Sequence, residues 1–524
     1  MDFCELLKKY ADSNLIAHQY RESVMTYKEL DQKSDALATY IIERFGEDKM
    51  PIVVFGHKEH NMLICFFACI KAGHGYIPID SSTPSERTRD IVGISGTKMI
   101  LNVGDNNAIL GDVDNLNADD IERTILDHSG MCPNDKYRTQ NEDIHYIIYT
   151  SGSTGKPKGV KITSNCLGSF VNWAAGFWNF FDGKHYIFMN QAPFSFDLSV
   201  MDLYLSLFTG STLYSLDKEM VSNLKQLFGY FRNSDVNIWV STPSFAELCL
   251  ADSSFTKELL PNLSLMLFCG ETLTNNCVKK IYDRFSKVKV INTYGPTEAT
   301  VAISAVEVDD CLCQSKNPLP VGYVKDDCKI FIVEEILQEV KKNINFLKFG
   351  DKRYEILPEG EKGEIVIFGD SVSPGYLNDE DATKRVFLSI WENNKEARYY
   401  RTGDEGYIQD GLLYYSGRID FQVKLNGFRV ELEDIENNLM DIDFIESAVV
   451  LPVMKDDKPY YLAAVVTLNK IFSEKEFAVG LLIKDKLKTL LPTYMIPRKI
   501  IIKENLPMTL NGKVNRKLLM EELK

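Results

Sequence analysis

Seven short apolar runs recur through the first three hundred residues: Ile52–Phe55, Met99–Leu101, Ile144–Tyr149, Ile187–Met189, Ile238–Val240, Leu265–Phe268 and Val288–Ile291. Helical patterns fill the intervals between them. This alternation predicts an α/β fold of mainly parallel sheets covered by helices. From about Lys329 the texture changes to shorter strands and Gly-marked turns, as in Gly363–Gly369 and Gly411–Arg418, so a β-rich subdomain is expected to close a large first domain. The charged, turn-rich segment Gly417–Arg429 then precedes a unit with its own pattern. It marks a hinge and divides the chain into domains 1–419 and 420–524. In the second, a helix is expected from about Glu433, with strands near Ala448–Val453, Tyr460–Thr467 and the KIIIK run. A further helix is expected to start at Ser473, with Glu476 completing a capping box.

A chain of 524 residues exceeds the size at which one core keeps growing, which requires at least two domains. The 45% hydrophobic and 25% charged residues are those of an ordinary globular protein, and disorder is not expected. A formal charge of −15 argues against a nucleic-acid partner, because neutralising phosphates needs a basic surface. The 11 cysteines are scattered, without metal-ligand spacing, and read as reduced thiols. The first residues lack the apolar core of a signal peptide. Met62–Ile70, the longest apolar run, falls far short of the ~20 residues that span a bilayer and fits a buried helix ending near Gly73. A cytoplasmic location without membrane insertion is expected.

Thr150–Gly159, TSGSTGKPKG, follows a predicted strand and has the makings of a phosphate loop. Its hydroxyls (Thr150, Ser151, Ser153, Thr154), its glycines (Gly152, Gly155) and its lysines (Lys156, Lys158) suit a polyphosphate. The spacing is not that of the Walker loop. Lys513, on the Asn511-Gly512 turn, is a lysine displayed at a turn tip.

Together with Asn292–Thr300, Arg401–Tyr407, Gly417–Glu436 and Asn511–Lys517, the Thr150 segment resembles the adenylate-forming superfamily in order and approximate spacing. Asn190–Tyr204, Ser241–Leu250, Phe268–Leu273 and Pro492–Lys499 are similar to the D-alanine:D-alanyl carrier protein ligases. That resemblance implies a large multi-subdomain adenylate-forming domain with mixed sheets, followed by a small mobile α+β domain carrying a catalytic lysine. It implies activation of D-alanine with ATP as D-alanyl-AMP, and transfer to the phosphopantetheine thiol of a D-alanyl carrier protein for teichoic acid D-alanylation. ATP and Mg2+ are the implied cofactors.

Carried over residue by residue, the resemblance makes Lys513 the catalytic cation bridging carboxylate and α-phosphate. Thr150, Ser151, Gly152, Ser153, Thr154 and Gly155 would hold the departing pyrophosphate, with Lys158 assisting. Asn292, Thr293, Tyr294, Gly295, Pro296 and Thr297 form the adenine and α-phosphate segment. Asp404 would accept from both ribose hydroxyls, near Tyr415, Ser416, Gly417 and Arg418. Glu298 is the implied magnesium ligand and Asp420 the hinge, while the segment Lys424–Gly427 would replace Lys513 near the site for transfer. An amino-acid substrate needs a counterion, and Asp197, set between Phe196 and Leu198, fits that role; read alone, it would also cap the following helix. Cys269, Gly270 and Val301 would shape a small side-chain pocket. No His partners Cys269, so it is assigned shape and not covalent chemistry.

One departure from the family lies between Ile330 and Gly360, where Ile336, Val340 and Ile344, flanked by Glu334, Glu335, Lys341 and Lys342, have the spacing of a short amphipathic helix. Three other functions compete: a peptide-synthetase-type adenylation enzyme for another small amino acid, an acyl-CoA synthetase, and an inactive carrier-binding protein. Asp197 disfavours the second, and the retained Lys513, Glu298 and Asp404 disfavour the third.

Overall fold

The computed structural model describes residues 1–104, 113–151, 156–177, 184–314, 318–336, 345–349, 351–392, 395–419, 422–455, 458–470, 472, 475–507 and 514–523. It falls into two compact units. The first comprises Met1–Ser81, Ser95–Ile148 and Gly159–Ile419; the second comprises Ser82–Ile94, Tyr149–Lys158 and Asp420–Lys524.

Each predicted strand of the first three hundred residues is present, within a residue or a few at its ends. Ile52–Gly56 lies between Met99–Asn102 and Tyr76–Asp80, all parallel, in a six-stranded sheet that continues through Ile144–Thr150 and Lys158–Thr163. Ile187–Asn190, Ile238–Ser241, Leu265–Phe268 and Lys289–Tyr294 are successive parallel neighbours in a nine-stranded sheet, with antiparallel strands at both edges. Strands buried on both faces cannot alternate polar and apolar residues, which is why their runs are continuous. The apolar run Met62–Ile70 lies in helix His60–Lys71, every residue from Met62 to Lys71 buried. At Gly73 the backbone turns left-handed (φ +88), and a Cβ there would come within 2.4 Å of the Tyr137 carbonyl oxygen.

The β-rich subdomain is an antiparallel sheet built on Cys328–Glu335, Gly363–Gly369 and Lys395–Gln409. The helix expected over 336–344 falls almost wholly on residues outside those described, but the chain on either side of it is strand. Glu334 and Glu335 are strand residues, paired with Glu355 and Tyr354, and Phe346–Phe349 folds back on Lys352–Ile356 as a hairpin. Residues 337–344 lie outside the described residues. The flanking strands are held because Val333, Phe349 and Tyr354 bury together with Val366, and the Arg401 guanidinium sits 4.1 Å from the Tyr354 ring centroid.

In the second unit, strands Ile445–Lys455, Lys458–Leu468 and Lys499–Ile502 form one sheet, packed with helices Leu432–Met440 and Glu476–Leu490 around a core that includes Ile435, Leu439, Val450, Ala464 and Ile483. The helix expected from Ser473 begins at Glu476, with Lys475 at its N-cap and no side-chain cap; Ser473 lies outside the described residues. Gln422–Leu425 and Phe428–Glu431 form a hairpin whose turn residues Asn426 and Gly427 both have positive φ, 51 and 84. Asn-Gly is the pair that tolerates such a turn. Burial pushes Asp434 up to about 6, opposed by the Arg87 guanidinium 3.4 Å away.

Candidate active site

In the first unit, Asp197 stands at the N-terminal end of helix Leu198–Thr209 but makes no capping hydrogen bond. Instead its Oδ2 accepts from the Thr297 hydroxyl at 2.6 Å. The carboxylate is buried, 8% exposed, among apolar neighbours in the sequence. An anion so placed is costly unless a cation or strong donor reaches it. Tyr146 has a buried hydroxyl without a hydrogen-bond partner among the described residues, and its phenol is held far up by burial, then by Tyr76 and Asp197.

The loop that supplies Thr297 follows strand Lys289–Tyr294. Asn292 Nδ2 donates to the Pro320 carbonyl at 2.9 Å and Thr293 Oγ1 to the Phe268 carbonyl at 2.8 Å, locking the strand end. A Cβ on Gly295 would meet Ala302 Cα at 2.5 Å and Val301 O at 2.8 Å, so the chain folds back on itself there only through glycine. Pro296 then leads into the 3-10 turn Thr297–Ala299. Glu298 is 1% exposed; its Oε1 accepts from the Tyr376 hydroxyl at 2.9 Å, and its carbonyl from the Ser373 amide at 2.9 Å.

Thr300 and Val301 follow with φ of 57 and 66. A left-handed β-branched residue is a true backbone outlier, and such strain persists where the surroundings over-determine it. Thr300 Oγ1 donates to the Ser371 carbonyl at 2.8 Å, and the Cys269 thiol donates to the Val301 carbonyl at 3.7 Å. Cys269 and Gly270, the latter at φ +91, lie just beyond strand Leu265–Phe268. Cys269, Val301, Thr297 and Asp197 are thereby linked within one unit.

Asp404 is 1% exposed. It sits opposite Arg418 across the pair Lys395–Gln409 and Leu412–Arg418. One oxygen accepts from Tyr294 OH at 2.5 Å and the other from Arg418 Nη1 at 2.8 Å. Each carboxylate oxygen carries two lone pairs, so these bonds do not exhaust its capacity to accept. The Tyr294 ring is buried, with the Tyr415 ring centroid 6.0 Å away. Ser416 and Gly417 lie on the same strand as Tyr415, and Gly417 has φ +138.

In the second unit, Thr150 is half-buried, and the Ser151 hydroxyl donates to the Arg429 carbonyl at 2.9 Å while accepting from the Glu431 amide at 3.2 Å. Lys158 opens strand Lys158–Thr163. Gly152, Ser153, Thr154, Gly155, Asp420 and Lys513 lie outside the described residues. Sequence reasoning missed the role of the Thr297 hydroxyl as partner of Asp197, and missed Tyr376 and Tyr146 altogether. No pattern within a single sequence joins Tyr376 to Glu298.

Residues 8–377 match the family model described as AMP-binding enzyme, and residues 434–513 match the AMP-binding enzyme C-terminal domain. A Bacillus cereus protein named D-alanine–D-alanyl carrier protein ligase is 44% identical over 525 residues, covering 100% of both chains. This chain belongs to the AMP-binding enzymes, in the D-alanine–D-alanyl carrier protein ligase family. Among solved structures, the ligase resembles an o-succinylbenzoate CoA synthetase from Bacillus subtilis (TM-score 0.78, 19% identity, 98% of each chain). It also resembles a Vibrio cholerae adenylation domain in complex with glycyl-adenosine-5'-phosphate (TM-score 0.76, 21% identity, 99% of this chain and 96% of that one). At these identities the likeness speaks for the fold of the ligase alone. Among its described residues, no helix is long and apolar enough to cross a membrane.

Proposed function

We propose that this ligase activates D-alanine with ATP and transfers the alanyl group to the phosphopantetheine thiol of a D-alanyl carrier protein, in service of teichoic acid D-alanylation. The observation that carries the amino-acid reading is the buried Asp197 carboxylate, held by Thr297 rather than spent on capping its own helix. It supplies the counterion that an α-ammonium requires and that a fatty or aryl acid would not. The relative's name supports alanine and the D configuration.

In the first half-reaction a carboxylate oxygen of D-alanine attacks the α-phosphorus of ATP and the bond to pyrophosphate breaks. D-alanyl-AMP forms. Two anions must approach, and Lys513 would stabilise the charge between them. Thr150–Gly155 and Lys158 would retain the departing pyrophosphate, and Asp404 and Arg418 would orient the ribose. Glu298 suits a magnesium ion: it is a hard oxygen donor, fixed by Tyr376, and magnesium commonly takes one or two carboxylates with the remainder from phosphate and water. Bound there, the ion would neutralise phosphate charge.

In the second half-reaction the carrier thiolate attacks the alanyl carbonyl, the mixed anhydride breaks, and AMP departs. Rotation of the small domain about Asp420 would withdraw Lys513 and bring Lys424–Gly427 toward the site. Amino-acid-dependent ATP–pyrophosphate exchange with magnesium, comparing D-alanine, L-alanine, glycine, D-serine and a short fatty acid, tests the activation. Preference for D-alanine is expected; exchange supported by another acid would replace the substrate, and exchange by none would remove the reading.

A further inference from the structure

Lys58 follows strand Ile52–Gly56 and is 0% exposed. Its ammonium donates to Asn190 Oδ1 and to the Ala192 carbonyl, and lies 4.4 Å from the centroid of the Phe194 ring. Asn190 in turn donates from Nδ2 to both oxygens of Asp202, at 3.1 and 3.0 Å, and its Oδ1 also accepts from Ser215 Oγ at 2.8 Å. Lys58 therefore grips three alternate residues on the N-terminal side of Asp197. Through Asn190 it also reaches Asp202, one turn into the helix on the other side.

The path between this grip and Asp197 is short and internally bonded. The Phe196 amide donates to the Pro193 carbonyl at 2.9 Å and the Val200 amide to the Asp197 carbonyl at 3.0 Å. A single hydrogen-bonded turn thus connects Ala192 and Phe194 to Asp197. Burial pushes the Lys58 ammonium down and the Asp202 carboxyl up, and each is opposed by the other's charge. A buried lysine and a buried carboxyl joined through an amide side chain are costly to desolvate compared with well-packed apolar side chains, so their use points to geometry.

We propose that Lys58 is a positioning residue for the amino-acid subsite, holding the Asn190–Asp202 segment so that Asp197 meets the substrate ammonium. The inference rests on Asp197 being that counterion.

The test compares the full-length parent, Lys58→Met and the double variant Lys58→Met with Asp202→Asn, in thermal unfolding and in ATP–pyrophosphate exchange. Lys58→Met removes the charge that opposes the desolvation of the Asp202 carboxyl and lowers the melting temperature. Asn at 202 keeps a side chain able to bond Asn190 but carries no charge, so the double variant regains most of the melting temperature. Its KM for D-alanine stays raised more than about tenfold, with the KM for ATP within about twofold. Return of the D-alanine KM along with the stability, or equal movement of both KM values, overturns the proposal. If the parent uses another amino acid, the substrate assignment alone fails and the same comparison is made with that acid; if it activates none, both readings fall.

Discussion

The Thr297 hydroxyl and the Asp197 carboxylate, 100 residues apart in the chain, meet at 2.6 Å. This bond joins the loop after strand Lys289–Tyr294 to the start of helix Leu198–Thr209, the two segments proposed to receive nucleotide and amino acid. Removing the donor while leaving the buried acceptor costs about 1–3 kcal/mol. Thr297→Val is therefore expected to raise the KM for D-alanine about tenfold, and Asp197→Asn by more. Asp197→Asn should leave ATP binding unchanged. Steady-state exchange at varied D-alanine checks both, and an unaltered amino-acid dependence in Asp197→Asn would end its ammonium role.

Val301→Gly separates strain from shape. Glycine adopts the left-handed conformation freely and would recover about 1–3 kcal/mol of backbone strain, offset by the lost burial of the valine side chain. The expected outcome is a melting temperature close to the parent's, with activity extended to D-amino acids larger than alanine. A large fall in stability, with D-alanine selectivity retained, would deny Val301 its place beside the substrate side chain.

Glu298→Gln keeps an oxygen that can accept from Tyr376, so the fold should survive. Without the charge, exchange is expected to fall by ~10²–10³ and the magnesium concentration for half-maximal rate to rise. Tyr376→Phe, which removes one donor to the carboxylate but leaves its charge, should lose far less. Equal losses in the two variants would place Glu298 among purely structural residues.

Lys513→Ala should abolish exchange, with a loss of ~10²–10³ or more, while sparing transfer from chemically prepared D-alanyl-AMP to the carrier. A comparable loss in both steps would contradict the exchange of Lys513 for the Lys424–Gly427 segment.

His145 is fully buried, and desolvation lowers its pKa from 6.5 to about 3; burial likewise holds His18 well below its ordinary value. Unfolding therefore takes up protons below pH 6.5. Stability is complete above that pH and falls as pH decreases, for His145 by about 2 kcal/mol at pH 5. Asp434, raised to about 6, acts in the opposite sense over the narrower window between its ordinary range and that value, and belongs to the other unit. Asp202, raised to about 8 in the same unit as His145, also acts in the opposite sense, so the check is a difference: between pH 7.5 and 5, His145→Gln should lose less melting temperature than the parent.

The strands were legible because burial on both faces forces runs such as Leu265–Phe268 to be apolar throughout, and that pattern needs no partner to be recognised. The hairpin beside the insertion was not legible, because the contacts that make Val333, Phe349 and Tyr354 a sheet are between strands and leave no periodic signal in the sequence. Asp197 could be singled out as a charge in apolar surroundings. Whether it capped its helix or turned inward depended on Thr297, and a bond spanning 100 residues leaves no trace in local pattern. Lys58 was passed over for the same reason: Asn190, Ala192 and Phe194 all lie on a segment more than 130 residues away.

None of the eleven cysteines is in a disulfide, and nine are buried. Burial raises the thiols of Cys65, Cys166 and Cys249 and lifts Cys4 to about 12 and Cys328 to about 11. An acyl adenylate is a potent acylating agent toward thiolates, so an enzyme that generates one beside its own sulfur risks labelling itself. Cys269, in the proposed site, makes a buried contact: its thiol donates to the Val301 carbonyl at 3.7 Å. If Cys269 gives the proposed pocket shape and no covalent chemistry, the enzyme after turnover should carry no alanylated cysteine, and delivery to the carrier should run without that competition.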